Sequence, residues 1–183
     1  MTRQVLRPSR LLLPSGFAED TAVVIEDGRI VAIGGDPGAA DQAIALPGET
    51  LVPGFFDTQV NGGGGVLFND VPTVDGIAAI AAAHRRFGTT ALLPTLISDD
   101  LRIVAKALDA IDAAIAAGVP GVRGIHVEGP FLNPDRHGIH DVAHLRRIDE
   151  AAVALLSAPR RGRVLVTLAP ELAPPGAIAA LCR

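Results

Sequence analysis

The chain has 183 residues, of which 49% are hydrophobic and 20% charged, with a net charge of -4. That is enough apolar content for a packed core and enough length for one ordinary domain with a small second one. The acidic balance excludes the basic face of a nucleic-acid binder, and 3% aromatic content without Tyr or Trp excludes a base-stacking platform. Cys182, the only cysteine, cannot found a disulfide framework or a cysteine zinc knuckle and reads as a small apolar helix residue.

Residues 1–20 are broken by Arg3, Arg7, Pro8, Arg10 and Pro14, which does not fit a signal peptide. No apolar run approaches the ~20 residues that span a bilayer. A soluble cytoplasmic protein without membrane or nucleic-acid partners is the expectation.

Residues 1–50 are β-rich. Val23-Val24-Ile25 and Ile30-Val31-Ala32-Ile33 flank Asp27-Gly28, a strong hairpin signal. So short a segment needs strands from elsewhere to complete a stable sheet. From residue 51 the pattern changes. Leu51–Val60 reads as an apolar strand, and residues 73–88 as a helix capped by Thr73 and stopped at Gly88. Residues 91–97 read as a second strand. Ser98 is the expected cap of the next helix, with Asp99 and Asp100 in its first turn. In that helix Leu101, Val104, Leu108, Ile111 and Ile115 recur at three and four and form one buried face. Further strands over 122–128 and 164–169 and helices from Asp149 or Glu150 to Ser157 and over 175–181 complete four successive βα units.

Strands apolar on both faces, alternating with helices, predict a parallel sheet covered by helices. The spacing of about 30–40 residues suits a (β/α) TIM-type barrel, which in full takes about 250 residues. The fold expected is therefore α/β: the first half of a (β/α)8 barrel over residues 51–183, preceded over residues 1–50 by the N-terminal strands of a small β-sandwich domain. The chain reads as truncated; a self-contained open α/β sheet is the alternative.

Sites in parallel α/β folds sit at the C-terminal ends of strands. Glu128 ends the apolar strand Ile125-His126-Val127-Glu128 and precedes Gly-Pro. A carboxylate there is costly unless it is paired or binds a cation, so it reads either as a metal ligand or acid, or as a hydrogen-bonded strand terminus. His126 points to the same face and reads as a core histidine rather than a ligand. His137 and His140 lie in a polar loop broken by Pro134 and Gly138, where substrate contacts gather. Gly62 to Gly65 follow a strand end and lack the lysine of a phosphate loop, leaving a tight bend or a backbone cradle. His84 and His144 read as surface residues.

The strings Pro53-Gly54-Phe55-Phe56-Asp57-Thr58-Gln59-Val60-Asn61-Gly62, Phe68-Asn69-Asp70, Gly88-Thr89-Thr90, Leu93-Pro94-Thr95-Leu96, His126-Val127-Glu128-Gly129-Pro130-Phe131-Leu132-Asn133, Gly138-Ile139-His140 and Leu168-Ala169-Pro170-Glu171 together resemble the N-acetylglucosamine-6-phosphate deacetylases of the amidohydrolase superfamily. The match runs in order along nearly the whole chain. The resemblance implies a hydrolase that releases acetate and glucosamine 6-phosphate, with Glu128 as a metal ligand and Ile139 and His140 as contacts to the amino sugar. Many amidohydrolases carry His-x-His where this chain has Gln59-Val60-Asn61. Here Gln59 and Asn61 would order water or substrate around a single divalent ion, by default Zn2+, with Fe2+ or another ion as alternatives. Amides are poor zinc ligands, which favours one metal over two. The resemblance also implies a homodimer, and it assigns the catalytic aspartate and two ligand histidines to the second half of the barrel. The chain alone is therefore expected to be inactive. The alternatives are another amidohydrolase acting on a cyclic amide, or a non-catalytic truncated chain.

Overall fold

The computed structural model describes residues 2–182. The chain divides into two compact units, one ending at Pro53 and the other beginning at Gly54.

The first unit grows from the Asp27-Gly28 hairpin. Both residues have positive φ, 46° and 77°, the geometry of a two-residue turn whose twist matches its strands. It joins β3 (Val23–Glu26) to β4 (Arg29–Ile33). The long β1 (Arg3–Leu13) pairs antiparallel along one edge with β3 and with β2 (Gly16–Glu19), and parallel along the other with β5 (Gln42–Leu51). Val5, Leu11, Val23 and Val24 are buried, whereas Ile30, Val31 and Ile33 on β4 are exposed.

The expected strand over residues 51–60 is two strands. Leu51 closes β5 in the first unit, and β6 (Phe55–Val60) opens the second. Val52, Pro53 and Gly54 between them lie outside any strand, since proline has no N–H to give a ladder.

The second unit is mixed α/β. Its main sheet has the order β11-β10-β9-β6, all parallel, where β9 is Thr89–Ile97, β10 Gly124–Glu128 and β11 Arg163–Thr167. The helices are α1 (Val74–Arg85), α2 (Leu101–Ala116), α3 (Glu150–Ser157) and α4 (Ala177–Leu181). Ile77, Ile80, Val104, Leu108 and Ile111 from the helices pack with Leu92, Leu96, Ile125 and Val127 from the strands. Parallel strands buried in this way need helix cover, which their apolar runs announce. Thr73 caps α1 by accepting from Gly76 N. The cap of α2 is Asp100, not Ser98; Ser98 is buried at the end of the sheet.

Gly62 and Gly63 form β7, which pairs antiparallel with β8 (Val66–Leu67). The glycine run is thus a hairpin bend. Among the described residues no helix is long and apolar enough to cross a membrane.

Candidate active site

Glu128 lies at the C-terminal end of β10, partly buried. Gln59 Nε2 donates to Glu128 Oε1 at 3.0 Å, so the two residues singled out at separate strand ends do meet. The β6–β9 pairing shifts register between Asp57 and Val60, and Val60 N donates instead to Thr95 Oγ1 at 2.8 Å. Such an irregularity re-aims side chains at a strand end, and here it accompanies the turn of Gln59 toward β10.

His126 is buried in the same sheet face, one layer below Glu128. Its Nε2 lies 2.8 Å from Thr167 Oγ1 on β11 and its Nδ1 lies 3.3 Å from Thr95 Oγ1 on β9. Burial holds this imidazole below the usual histidine range, against the opposing pull of the Glu128 carboxylate. It is a neutral, hydrogen-bonded core histidine.

His140 is buried although it sits in a loop. Its Nδ1 accepts from Ser98 N at 3.2 Å and lies 2.8 Å from Ser98 Oγ. His137 Nδ1 donates to His140 O at 2.8 Å, so His137 braces the loop. Ile139 is 87% exposed. Asn61 is partly buried; its carbonyl accepts from Phe68 N at 2.9 Å, and its side-chain amide has no hydrogen-bond partner among the described residues.

Three supports went unread in the sequence. Asn69 clamps the end of β9, accepting from Ile97 N at 3.0 Å and donating to Ile97 O and to Asp99 Oδ2 at 3.1 Å each. Asn133 donates to Glu171 at 2.9 Å, which ties the loop after β10 to the loop after β11 and holds the Glu171 carboxyl below the usual range. His84, expected at the surface, is partly buried and donates from Nε2 to Gly62 O at 2.8 Å. Each joins residues at least 22 positions apart, and only the polar residue types at strand and helix ends could have hinted at them.

Among the described residues no group of three or more His, Cys, Asp or Glu side chains is placed to hold a metal ion. Glu128 offers one donor, and a catalytic zinc usually takes three protein ligands, so the residues present do not by themselves fit a catalytic metal. A concavity of about 740 Å3, lined by Phe56, Arg123, Arg160 and Arg163, opens at the starts of the strands, away from Glu128.

No protein-family model matches the chain. It is 44% identical over 171 residues to the N-acetylgalactosamine-6-phosphate deacetylase of Shewanella sp. (strain ANA-3), covering 91% of this chain and 43% of that protein. It is 38% identical over 141 residues to the N-acetylglucosamine-6-phosphate deacetylase of Bos taurus, covering 73% and 34%. The crystal structure of the N-acetyl-D-glucosamine-6-phosphate deacetylase from Mycobacterium smegmatis superposes with a TM-score of 0.82 at 33% identity, covering 97% of this chain and 49% of that one. By sequence and by structure, the chain is homologous over nearly its whole length to amino-sugar 6-phosphate deacetylases, of whose length it spans less than half.

Proposed function

We propose that this chain is part of a metal-dependent deacetylase that hydrolyses N-acetylglucosamine 6-phosphate to glucosamine 6-phosphate and acetate. The observation that carries the reading is the similarity to enzymes named for that reaction, over 73% of the chain by sequence and 97% by structure. The arrangement at the ends of β6, β9 and β10 supports it: a carboxylate held by an amide beside a buried histidine loop.

In this reading the first unit, expected over residues 1–50 and ending at Pro53, is the N-terminal part of a small β-sandwich domain, and the second, expected from residue 51 and beginning at Gly54, is the first half of a (β/α)8 barrel. Glu128 is a metal ligand, and Gln59, Asn61, Ile139 and His140 contact substrate or ordered water. A divalent ion, Zn2+ or Fe2+, would be held by Glu128 only together with ligands that residues 2–182 do not supply, and would there activate a water. This chain's own contribution is to orient: Gln59 fixes the Glu128 carboxylate and the loop around His140 presents an imidazole. The catalytic aspartate and the other ligands come from sequence beyond residue 183, and the full-length protein is a homodimer.

A specific observation favours a second substrate. The relative at 44% identity is named for N-acetylgalactosamine 6-phosphate, so both hexosamine epimers belong in the assay. The purified 183-residue chain is expected to turn over neither; turnover of either one overturns the assignment of essential groups beyond residue 183. In the protein encoded by the gene read past codon 183, Glu128→Gln should lower bound metal and kcat/KM together. The loss should exceed the roughly 10- to 100-fold typical of an outer partner. Unchanged metal content in that variant would remove Glu128 from the ligand set.

A further inference from the structure

We infer that Ser98 is a positioning residue that fixes the tautomer and ring plane of His140, so that the imidazole presents Nε2–H, a hydrogen-bond donor, to an oxygen of the substrate.

The inference begins with an N–H that cannot reverse its role. A backbone amide nitrogen donates and never accepts. Ser98 N donates to His140 Nδ1 at 3.2 Å, so Nδ1 carries a lone pair. In a neutral imidazole the proton is then on Nε2. The Ser98 hydroxyl, 2.8 Å from the same Nδ1, has a rotatable proton and adopts the donor role beside the amide. Two donors from one residue converge on one ring nitrogen and define both its state and its direction.

The hydroxyl also packs closely against Gly129. A Cβ built on Gly129 would lie 2.1 Å from Ser98 Oγ and 3.3 Å from Ser98 Cβ. Gly129 has a φ of +86° and directly follows Glu128, so the space that a side chain would fill is occupied by the serine hydroxyl. On the loop side, His137 Nδ1 donates to His140 O at 2.8 Å, and His140 N donates to His137 O at 3.0 Å. The backbone of His140 is thereby fixed while its ring is fixed by Ser98. Nε2 has no partner among the described residues, so the remaining donor is available. The acceptor it suits is a neutral or partly negative oxygen, such as an acetamide carbonyl. That last step rests on the deacetylase reading; the tautomer does not.

Nitrogen-15 NMR of the histidine-labelled chain at a pH of about 8, where an ordinary imidazole is neutral, reads the tautomer directly. The expected spectrum has His140 Nδ1 unprotonated and Nε2 protonated. A protonated Nδ1 in the unmodified chain overturns the inference and leaves the deacetylase reading untouched, because no turnover is measured. Ser98→Ala keeps the backbone donor and removes the hydroxyl. Nε2 should then stay protonated, because the backbone donor remains, while the Nδ1 signal shifts with the loss of its hydroxyl hydrogen bond; His126, which Ser98 does not touch, keeps its own. Identical His140 signals in Ser98→Ala would show that the hydroxyl positions nothing.

Discussion

Gly129 sits where three requirements meet. It follows the candidate ligand Glu128, it has φ +86°, and its missing side chain leaves room for Ser98 Oγ. Gly129→Ala would impose left-handed strain of about 1–2 kcal/mol and drive a methyl group into the serine hydroxyl. A loss of at least that size should appear as a lower urea midpoint, and the His140 nitrogen signals should shift as they do in Ser98→Ala. An alanine variant as stable as the parent would show that the backbone there relaxes freely. At this scale the sequence was readable where a residue type broke its local pattern. Glu128 stood out because a carboxylate ended an apolar strand. Ser98 was misread as a helix cap because Ser followed by two Asp is a capping pattern; its real partner lies 42 positions away, and Asp100 takes the cap instead. No local rule carries a contact of that separation.

Helix α3 shows what one carboxylate contributes to an element. Asp149 Oδ1 accepts from Ala152 N at 2.9 Å, and Oδ2 pairs with Arg146. The backbone hydrogen bond is the main reason its carboxyl lies below the usual range, with Arg146 adding to it. The native state therefore favours the ionised form. The stabilisation is fully present above the ordinary carboxylate value of about 3.9 and is lost as pH falls through the lower native value. Asp149→Ala should cost about 1 kcal/mol at neutral pH, the usual worth of an N-cap. In thermal melts across the acid range, the gap between parent and variant should close below a pH of about 4; a gap that stays constant would mean that the charge is irrelevant. Elements were largely legible because periodicity and caps are local: Thr73 and the face from Val104 to Ile111 stand where their spacing places them, and of the two starts left open for α3 the helix takes Glu150, with Asp149 as its cap. The break at Pro53 interrupts an apolar run that reads as one strand, because proline has no N–H to give a ladder.

At the scale of the whole molecule, the parallel sheet of the second unit has two outer strands, β6 and β11, each paired on one side only among the described residues. Phe55 and Phe56 on β6 are 59% and 57% exposed, and Leu165 on β11 is 42% exposed. Unpaired backbone beside apolar side chains is a template for further strand pairing. The 183-residue chain should therefore self-associate with rising concentration in size-exclusion chromatography, and Leu165→Lys should shift it toward the monomer; a parent chain that stays monomeric throughout would refute this. The succession of βα units was legible from the alternation of strand and helix patterns. What encloses the open sheet face was not, because enclosure depends on contacts that no single βα unit contains.

The bridge made by His126 has a consequence for how the sheet assembles. Alternating side chains protect parallel strands against a slip by one residue, which would turn every side chain to the wrong face. A slip by two preserves the faces and escapes that safeguard. With β11 displaced by two positions, Leu165 or Ala169 would replace Thr167 opposite Nε2, leaving a buried imidazole nitrogen without a partner, at a cost of about 1–3 kcal/mol. On the other side, Thr95 sets the same condition for β9. One neutral ring thus works as an alignment key for three strands, and it sets the height at which Glu128 emerges from the sheet.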